Sequence, residues 1–313
     1  MPPHHAAGGF RNPPPAPAPS AGGLLADRFR GLFIEVPGAP APALGRAAAE
    51  AGWAGTDDAI MWLGHGGVML RLAGTVVAID PVFGTWLTPV RGFGPRRIAG
   101  SPFDAETLPR VDVLLLSHDH ADHLQPATFE RIAARHGAAC LVGLRVASLR
   151  ELACSRIEEL DWHDSRRIGP LTITFLPAQH ESGRGLFDTN ATLWGSWLVE
   201  GGGRRVYLGG DSGYAPLYAE IRARHGAPDI AVLGIGGYRP RDPNAIMHAE
   251  PAETMRAIRD LGAPRALLVH WGTYPIGAED TGQAPAEARA AARAAGIPDA
   301  ALLTPAIGET LRF

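Results

Sequence analysis

Residues 118–123 read His-Asp-His-Ala-Asp-His, so three imidazoles and two carboxylates follow one another almost without interruption. A short apolar run at residues 111–116, rich in Val and Leu, comes directly before them and predicts a buried strand. Ionisable groups at the edge of a core are costly unless a partner satisfies them, and a divalent metal ion does so. The chain must therefore fold so that a buried strand ends at a metal-binding loop.

Further residues of ligand type occur later in the chain. His180, Asp211 and His270 each come just after a short apolar run. In the first motif, His118 and His120 are separated by one residue, so on an extended strand end they project to the same side. We therefore expect the ends of several strands to meet around one centre.

Seven residues of ligand type exceed what one tetrahedral ion uses, so we predict two neighbouring metal sites. The first has three histidines, the second has one aspartate and two histidines, and another aspartate lies between them: His118, His120 and His180; Asp122, His123 and His270; and Asp211. Nitrogen and oxygen ligands without thiolate favour Zn²⁺, and Fe²⁺ or Mn²⁺ are also compatible. The expected cofactor is two Zn²⁺ per chain.

Two metal ions can activate a water molecule and stabilise both oxygens of an in-line displacement. Asp119 or Asp211 is expected to accept or position the proton of that water. Asp119, the aspartate of the first motif that is not a ligand, is expected to act mainly as a hydrogen-bonding partner.

Four more residues are candidates around the centre. His65 follows an apolar run and is expected either to orient a ligand from behind or to cap a turn. Trp271, beside a ligand, and the neighbouring pair Tyr238 and Arg239 are candidates for substrate binding, with simple packing as the alternative for the aromatic rings.

From residue 59 onward, short apolar runs rich in β-branched residues alternate with helical patterns. The clearest helices are predicted at residues 126–135, with Pro126 in the first turn and Gly137 as the stop signal, and at residues 251–261. Two strand-rich halves, each covered by helices, predict an α/β fold with a four-layer αββα sandwich. This domain is expected to occupy residues 56–313.

Pro, Ala and Gly dominate residues 1–55, a composition that favours irregular backbone, so we expect an N-terminal arm there. His4 and His5 lie in this arm and are expected to be solvated and not metal-bound. Residues 23–33 carry apolar side chains at near-helical spacing with two arginines between them. This pattern fits a helix at a lipid interface or an arm that covers the core.

The 313-residue chain carries 29 basic and 32 acidic residues, a net charge of −3, which argues against a general nucleic-acid partner. Cys140 and Cys154 lack CxxC spacing and are expected to be free thiols. No apolar run approaches the roughly 20 residues that span a bilayer, so cytoplasmic residence is expected, with peripheral membrane contact open. The sequence does not indicate an oligomeric state.

The HxHxDH pattern with its later His, Asp and His resembles the signature of metallo-β-lactamase-like hydrolases. Other segments, spread over nearly the whole chain, are similar to the N-acylphosphatidylethanolamine phospholipase D branch: Phe-Arg-Asn-Pro at 10–13, Trp-Leu-Gly-His at 62–65, Ile-Asp-Pro-Val-Phe at 79–83, Leu-Asp-Trp at 160–162, Leu-Trp-Gly-Ser-Trp at 193–197, Gly-Gly-Asp-Ser-Gly-Tyr at 209–214 and His-Trp-Gly-Thr at 270–273.

This resemblance implies a sandwich of the metallo-β-lactamase type with a di-zinc centre. It also implies a phospholipase D activity that hydrolyses the phosphodiester bond of N-acyl phosphatidylethanolamine lipids. His248, just before a predicted helix, matches an additional active-site histidine of the branch. The match implies a contact with the substrate phosphate or the leaving oxygen, and we favour this catalytic role over that of a residue flanking the helix.

Other functions compete with this one. The same activated water attacks a carbonyl carbon as readily as phosphorus, so a lactonase or other carbonyl-directed hydrolase is the alternative, and phosphate-binding groups around His248 and Arg239 would separate the two. A nuclease is less favoured because the chain is slightly acidic. A non-catalytic metal-binding module is disfavoured because such a module need not keep all seven ligands.

Overall fold

Two mixed β-sheets, each of seven strands, form the centre of the described structure. The computed structural model describes residues 2–13, 38–88, 92–185 and 187–313. The amphipathic segment at residues 23–33, predicted to lie at a lipid interface or on the core, is outside the described residues.

The first sheet has the strand order β16-β3-β4-β5-β6-β7-β8. Its members are β3 (Ala59–Gly64), β4 (Gly67–Leu72), β5 (Thr75–Ile79), β6 (Val113–Leu115), β7 (Ala139–Gly143), β8 (Ile157–Leu160) and β16 (Thr310–Arg312). Strands β3 to β5 form an antiparallel meander, and β5 to β8 are parallel. The parallel half carries the first ligand motif, directly after β6.

The second sheet has the order β15-β14-β13-β12-β11-β10-β9. Its members are β9 (Ser165–Ile168), β10 (Leu171–Leu176), β11 (Ser196–Gly201), β12 (Arg204–Leu208), β13 (Ile230–Gly234), β14 (Ala266–Val269) and β15 (Leu302–Leu303). Strands β9 to β12 are antiparallel, and β12 to β15 are parallel.

The described helices are α1 (Arg46–Trp53), α2 (Pro126–His136), α3 (Val146–Leu149), α4 (Leu217–His225), α5 (Arg241–Asn244), α6 (Pro251–Leu261) and α7 (Ala284–Ala295), with a 3₁₀ turn at Asp299–Ala301. Both helices predicted from proline and glycine positions are present. Helix α2 starts at Pro126 and ends before Gly137, which takes a left-handed conformation (φ 61°) that glycine adopts without steric cost.

The layers follow from the alternation of side chains along the strands. Trp62 of β3 packs in the cluster that contains Phe175 of the second sheet, so this side faces the space between the sheets. Its neighbour Met61 points the other way and packs with Phe129 of α2. Helices α4, α6 and α7 contribute to the cluster of the second sheet. The predicted four-layer αββα sandwich is confirmed.

Part of the predicted N-terminal arm packs on this body. Helix α1 buries Ala49 and Trp53 in the cluster on the outer face of the first sheet. No helix within the described ranges is both long enough and apolar enough to span a membrane. Both cysteines are free thiols, Cys140 buried and Cys154 partly buried.

Residues 2–13 contain a small antiparallel hairpin of β1 (His5–Ala6) and β2 (Gly9–Phe10). The Nε2 atoms of His4 and His5 lie 2.6 Å and 2.8 Å from the two carboxylate oxygens of Asp161. The ring of His4 also stacks on Trp162, with the centroids 4.1 Å apart. The expectation that this pair is solvated is wrong for His4, which is buried, because Asp161 and Trp162 provide a polar partner and a packing surface.

Candidate metal centre

The ligand-type residues come together because four strands end at the same place. The motif at residues 118–123 follows β6 of the first sheet, while His180, Asp211 and His270 follow β10, β12 and β14 of the second. In sheets with parallel strands, the crevice beyond the carboxyl ends is where ligands bind. The structure brings all seven predicted ligands into this crevice, between the two sheets.

Three histidines form the first group. The Nε2 of His118 lies 3.1 Å from the Nδ1 of His120, and the Nε2 of His180 lies 3.1 Å and 3.2 Å from these two atoms. Each imidazole nitrogen carries either a proton or a lone pair, so three nitrogens in mutual contact always leave two like groups facing each other. A cation that accepts all three lone pairs removes this conflict, and three imidazoles suit Zn²⁺. These residues fit a divalent metal ion.

The second group contains carboxylates. Asp211 places its Oδ2 3.0 Å from the Nε2 of His123 and its Oδ1 3.1 Å from the Nε2 of His270. The Oδ2 of Asp122 lies 3.7 Å from the Nε2 of His270. Asp211 also groups with His118 and His123, so it lies between the two groups. This donor set of imidazoles and carboxylates fits a second divalent ion next to the first.

Asp80 aligns two ligands and was not among the predicted site residues. Its Oδ2 accepts a hydrogen bond from the Nδ1 of His123 at 2.8 Å and another from the hydroxyl of Ser117 at 2.5 Å. The same hydroxyl lies 2.9 Å from the Nδ1 of His118. Both rings therefore turn Nε2 toward the centre. Asp80 directly follows β5, which is the same signal that marked the ligands, so the sequence could have revealed it.

The carboxylate of Asp119 is held by structural donors. It accepts hydrogen bonds from the Nε of Arg150 at 2.6 Å, the hydroxyl of Thr192 at 2.8 Å and the backbone N–H of Gly183 at 2.8 Å. It is fully buried. These contacts tie the ligand loop to the segment after His180, which is the hydrogen-bonding role expected for this aspartate.

Comparison with known proteins identifies the family. A family model described as a β-lactamase superfamily domain matches residues 75–271, which is more than half of the chain. The chain belongs to this superfamily. The matched range runs from β5 to β14 and contains all seven ligand-type residues and Asp80.

Individual relatives of this β-lactamase superfamily member match over part of their length. An uncharacterized protein of Mycobacterium tuberculosis is 38% identical over 231 residues, which cover 72% of this chain and 61% of that protein. The N-acyl-phosphatidylethanolamine-hydrolyzing phospholipase D 1 of Caenorhabditis elegans is 33% identical over 228 residues, 69% of this chain and 64% of that protein. The match therefore spans less than two thirds of either relative.

A metallo hydrolase from the archaeon Ignicoccus hospitalis has a similar structure. The TM-score is 0.61 at 21% identity, and the superposition covers 82% of this chain and 99% of that one. At this identity the likeness shows a shared fold, and it agrees with the metallo-β-lactamase sandwich derived above.

Two further histidines of the superfamily member surround the ligands. His65 is buried, and its Nε2 contacts the Oδ2 of Asp122 at 2.9 Å. Its ring lies in one group with Asp122, His123 and His270, where it can fix the orientation of that carboxylate. The Nδ1 of His248 lies 3.7 Å from the Oδ2 of Asp211, and its ring stacks near that of His270 with centroids 5.4 Å apart.

The structure places the predicted substrate-binding residues in other surroundings. Trp271 is buried and stacks on Trp62, with the centroids 5.2 Å apart. The hydroxyl of Tyr238 donates to Glu287 at 2.6 Å, and the guanidinium of Arg239 lies 3.6 Å from the same carboxylate. The polar groups of Tyr238 and Arg239 are therefore engaged with Glu287. A contact of these two residues or of Trp271 with substrate stays a prediction.

The electrostatics of the centre favour the metal-binding forms of His118 and of the two carboxylates. Burial lowers the pKa of His118 well below its ordinary value, and the neighbouring histidines add to this effect. Burial opposes the ionisation of Asp211, but His123 and His270 hold its pKa well below the usual range. Burial opposes the ionisation of Asp122 too, but His123, His270 and His65 together hold its pKa well below the usual range. Both carboxylates are therefore ionised and able to bind a cation.

Proposed function

We propose that the chain is a two-metal hydrolase of phosphodiester bonds, of the phospholipase D type, that acts on N-acyl phosphatidylethanolamine-like lipids. One observation carries the proposal: Asp211 lies between a group of three histidines and a group of two histidines and an aspartate. This is the arrangement that two-metal hydrolases need. The nematode relative, named as a phospholipase D for such lipids, supports the substrate class.

Zn²⁺ is the proposed metal, with Fe²⁺ or Mn²⁺ as compatible replacements. The three histidines of the first group would hold one ion and Asp122, His123 and His270 the other, with Asp211 available to both. Bound ions would supply Lewis acidity that neutralises negative charge and makes water a better nucleophile.

The residues of the chain supply position and proton handling. Asp211, with its pKa well below the usual range, is ionised and would accept a hydrogen bond from the attacking water. Burial lowers the pKa of His248 to about 4, so its ring is neutral at neutral pH. A neutral imidazole donates one hydrogen bond without adding charge, and we assign His248 to the leaving oxygen of the substrate. Asp119, with its structural donors, acts as a positioning residue.

Carbonyl-directed hydrolysis of a lactone is the competing function. The guanidinium of Arg241 donates to the backbone oxygen of His248 and to Glu253, and Arg239 lies near Glu287. These arginines are paired with protein groups, so Arg239 and Arg241 do not form the expected phosphate-binding cluster, and this point favours the carbonyl-directed alternative. In the phosphodiesterase that we propose, the metal ions and His248 would bind the substrate phosphate. The rates on a phosphodiester and on a lactone therefore have to be compared directly.

The test is a substrate panel with zinc-loaded protein: an N-acyl phosphatidylethanolamine in mixed micelles, a soluble phosphodiester and a lactone. We expect the N-acyl phospholipid to be turned over with the highest kcat/KM. The control is His248→Ala, which should lose activity on the lipid while keeping both metal ions. A panel in which the lactone is hydrolysed and neither phosphodiester is would replace the proposed function with lactonase activity.

A lipid substrate requires access to a lipid surface, and we propose peripheral membrane contact. Phe187 lies in the loop after the ligand His180, and its side chain is 99% exposed. An aromatic ring held out beside the centre can enter the interfacial region of a bilayer. We expect Phe187→Ser to lower turnover of vesicle-bound long-chain substrate several-fold and to spare a short soluble phosphodiester. Equal rates of wild type and variant on vesicles would exclude this contact.

A further inference from the structure

Asn12 contacts the main chain of a metal ligand on both sides. Its Oδ1 accepts a hydrogen bond from the backbone N–H of His180 at 2.9 Å, and its Nδ2 donates to the carbonyl of the same residue at 2.8 Å. One primary amide thus occupies both backbone groups of His180, the pairing that a neighbouring strand would otherwise provide. The partners are 168 positions apart in sequence.

His180 needs such support because of where it lies. It is in the irregular segment between β10 and β11, four residues after Leu176. Its Nδ1 donates to the carbonyl of Met247 at 3.0 Å, which turns Nε2 toward the other two histidines. This bond fixes the direction of the ring, whereas the contacts with Asn12 fix the backbone that carries it.

The segment that carries Asn12 is itself firmly attached to the body. Phe10 is buried in the main core cluster, and its N–H donates to the carbonyl of Asn190 at 2.8 Å. Gly9 approaches that carbonyl so closely that a Cβ atom there would lie 2.1 Å from the oxygen. At the other end, His4 and His5 share the carboxylate of Asp161. The hairpin is therefore anchored at both ends, with Asn12 beyond it at the ligand.

The side chains of His4, His5 and Asp161 form a hydrogen-bonded cluster. Each imidazole contacts a different oxygen of one carboxylate, at 2.6 Å and 2.8 Å. A carboxylate accepts both of these hydrogen bonds without conflict. The three imidazole nitrogens of the first group, by contrast, cannot satisfy one another. The cluster is therefore satisfied as a hydrogen-bonded anchor.

From these contacts we infer that Asn12 is a positioning residue for the metal ligand His180, so that the N-terminal hairpin is part of the metal centre. Partners that orient metal ligands typically contribute 10- to 100-fold to metal affinity. The inference rests on the two-metal centre of the proposed function, but it is independent of the substrate. It predicts that loss of the Asn12 amide weakens the three-histidine site and spares the other.

The test is a Zn²⁺ titration of metal-free protein against a chromophoric chelator, which reports the affinity of each ion without substrate. For Asn12→Ala we expect one of two ions to bind about 10- to 100-fold more weakly and the other to change less than about twofold. Co²⁺ absorption spectra should change for the weakened site alone. Asn12→Asp keeps the acceptor for the N–H of His180 but loses the donor, so an intermediate loss is expected.

Arg11→Ala is the matched control, because this neighbouring side chain is exposed and its Nε donates to Pro3. It should leave both affinities unchanged. If Asn12→Ala does not fold, Asn12→Asp and Asn12→Ser carry the test. Unchanged affinity of both ions in every folded Asn12 variant overturns the inference, whereas wild-type protein that binds two ions but fails the substrate panel overturns only the proposed function.

Discussion

The two nitrogens of the His123 ring have different partners. Nδ1 donates to Asp80 at 2.8 Å, while Nε2 faces Asp211 at 3.0 Å. Burial opposes a charge on this ring, yet Asp211, Asp122 and Asp80 together raise its pKa well above the ordinary value. In the metal-free protein the carboxylates are thus balanced by a proton on His123. A metal ion held by His123 would therefore take the place of a proton.

Replacement of a ligand-type residue by alanine removes a group that would hold a metal ion. We expect His120→Ala and Asp211→Ala each to lower hydrolytic kcat by about 100-fold or more, because a ligand is lost and Asp211 serves both groups. Circular dichroism should show an unchanged fold, since these side chains lie in loops after strands and not in the core. Exposed Asp57→Ala is the control, with activity near that of wild type. Activity of either ligand variant within a few-fold of wild type would remove that residue from the mechanism.

The clustering of the ligand-type residues could be predicted from the sequence because they follow the ends of apolar runs. Asp80 gives the same signal after β5, but its role depends on Ser117 and His123, which only the folded chain brings to it. Asn12 gives no such signal, since it lies in a Pro- and Gly-rich segment and its partner is distant in sequence. Long-range side-chain contacts of this kind require the structure.

At the scale of elements, helices with proline and glycine signals were predictable to within a residue or two. Helix α6 (Pro251–Leu261) begins at Pro251 and ends before Gly262, as expected from the sequence. Strand β9 (Ser165–Ile168) was missed because its exposed edge position leaves it polar, without an apolar run. The hairpin of β1 and β2 was also missed, because strands of two residues carry no periodic pattern.

This hairpin should respond to acid through Asp161. Burial opposes ionisation of Asp161, but hydrogen bonds from His4, His5 and the N–H of Trp162 lower its pKa below the ordinary 3.8. A carboxyl with a lowered folded pKa stabilises the fold fully above its unfolded pKa, and this contribution disappears as the pH falls through the folded value. We therefore expect the hairpin to lose protection below about pH 4.

Amide hydrogen exchange of Ala6 and Phe10, compared between wild type and Asp161→Asn at each pH, checks this expectation. For each amide, the exchange rate of Asp161→Asn divided by that of wild type should be large at pH 6. This ratio should approach one below pH 4, because the wild-type carboxylate is then protonated, whereas the variant has no carboxylate to protonate. A ratio that is the same at both pH values would show that Asp161 does not anchor the hairpin.

At the scale of the whole molecule, the ligands come from both sheets. His118 and His120 follow β6 of the first sheet, and His180 and His270 follow strands of the second. A bound ion therefore connects the two halves, and its binding free energy adds to the stability of the folded state.

We expect zinc-loaded protein to contain about two ions per chain by elemental analysis. Removal of the ions with a chelator should lower the melting temperature by on the order of 5 °C or more. Restored Zn²⁺ should restore the melting temperature, whereas Mg²⁺, which prefers oxygen ligands, should not. At most trace metal after loading would contradict the two-metal centre.

The long-range pairing of Asn12 with His180 also has a consequence for synthesis on the ribosome. A growing chain emerges from its N-terminus, so Asn12 leaves the tunnel 168 residues before its partner. His118 and His120 likewise emerge well ahead of His180, and His270 comes last. All seven ligand-type residues are present only when β14 and His270 have been made. Until then the nascent chain carries only those that follow the earlier strands. Full zinc binding would therefore become possible once β14 and His270 have emerged, while β15 and β16, the last strand of each sheet, are still to be added.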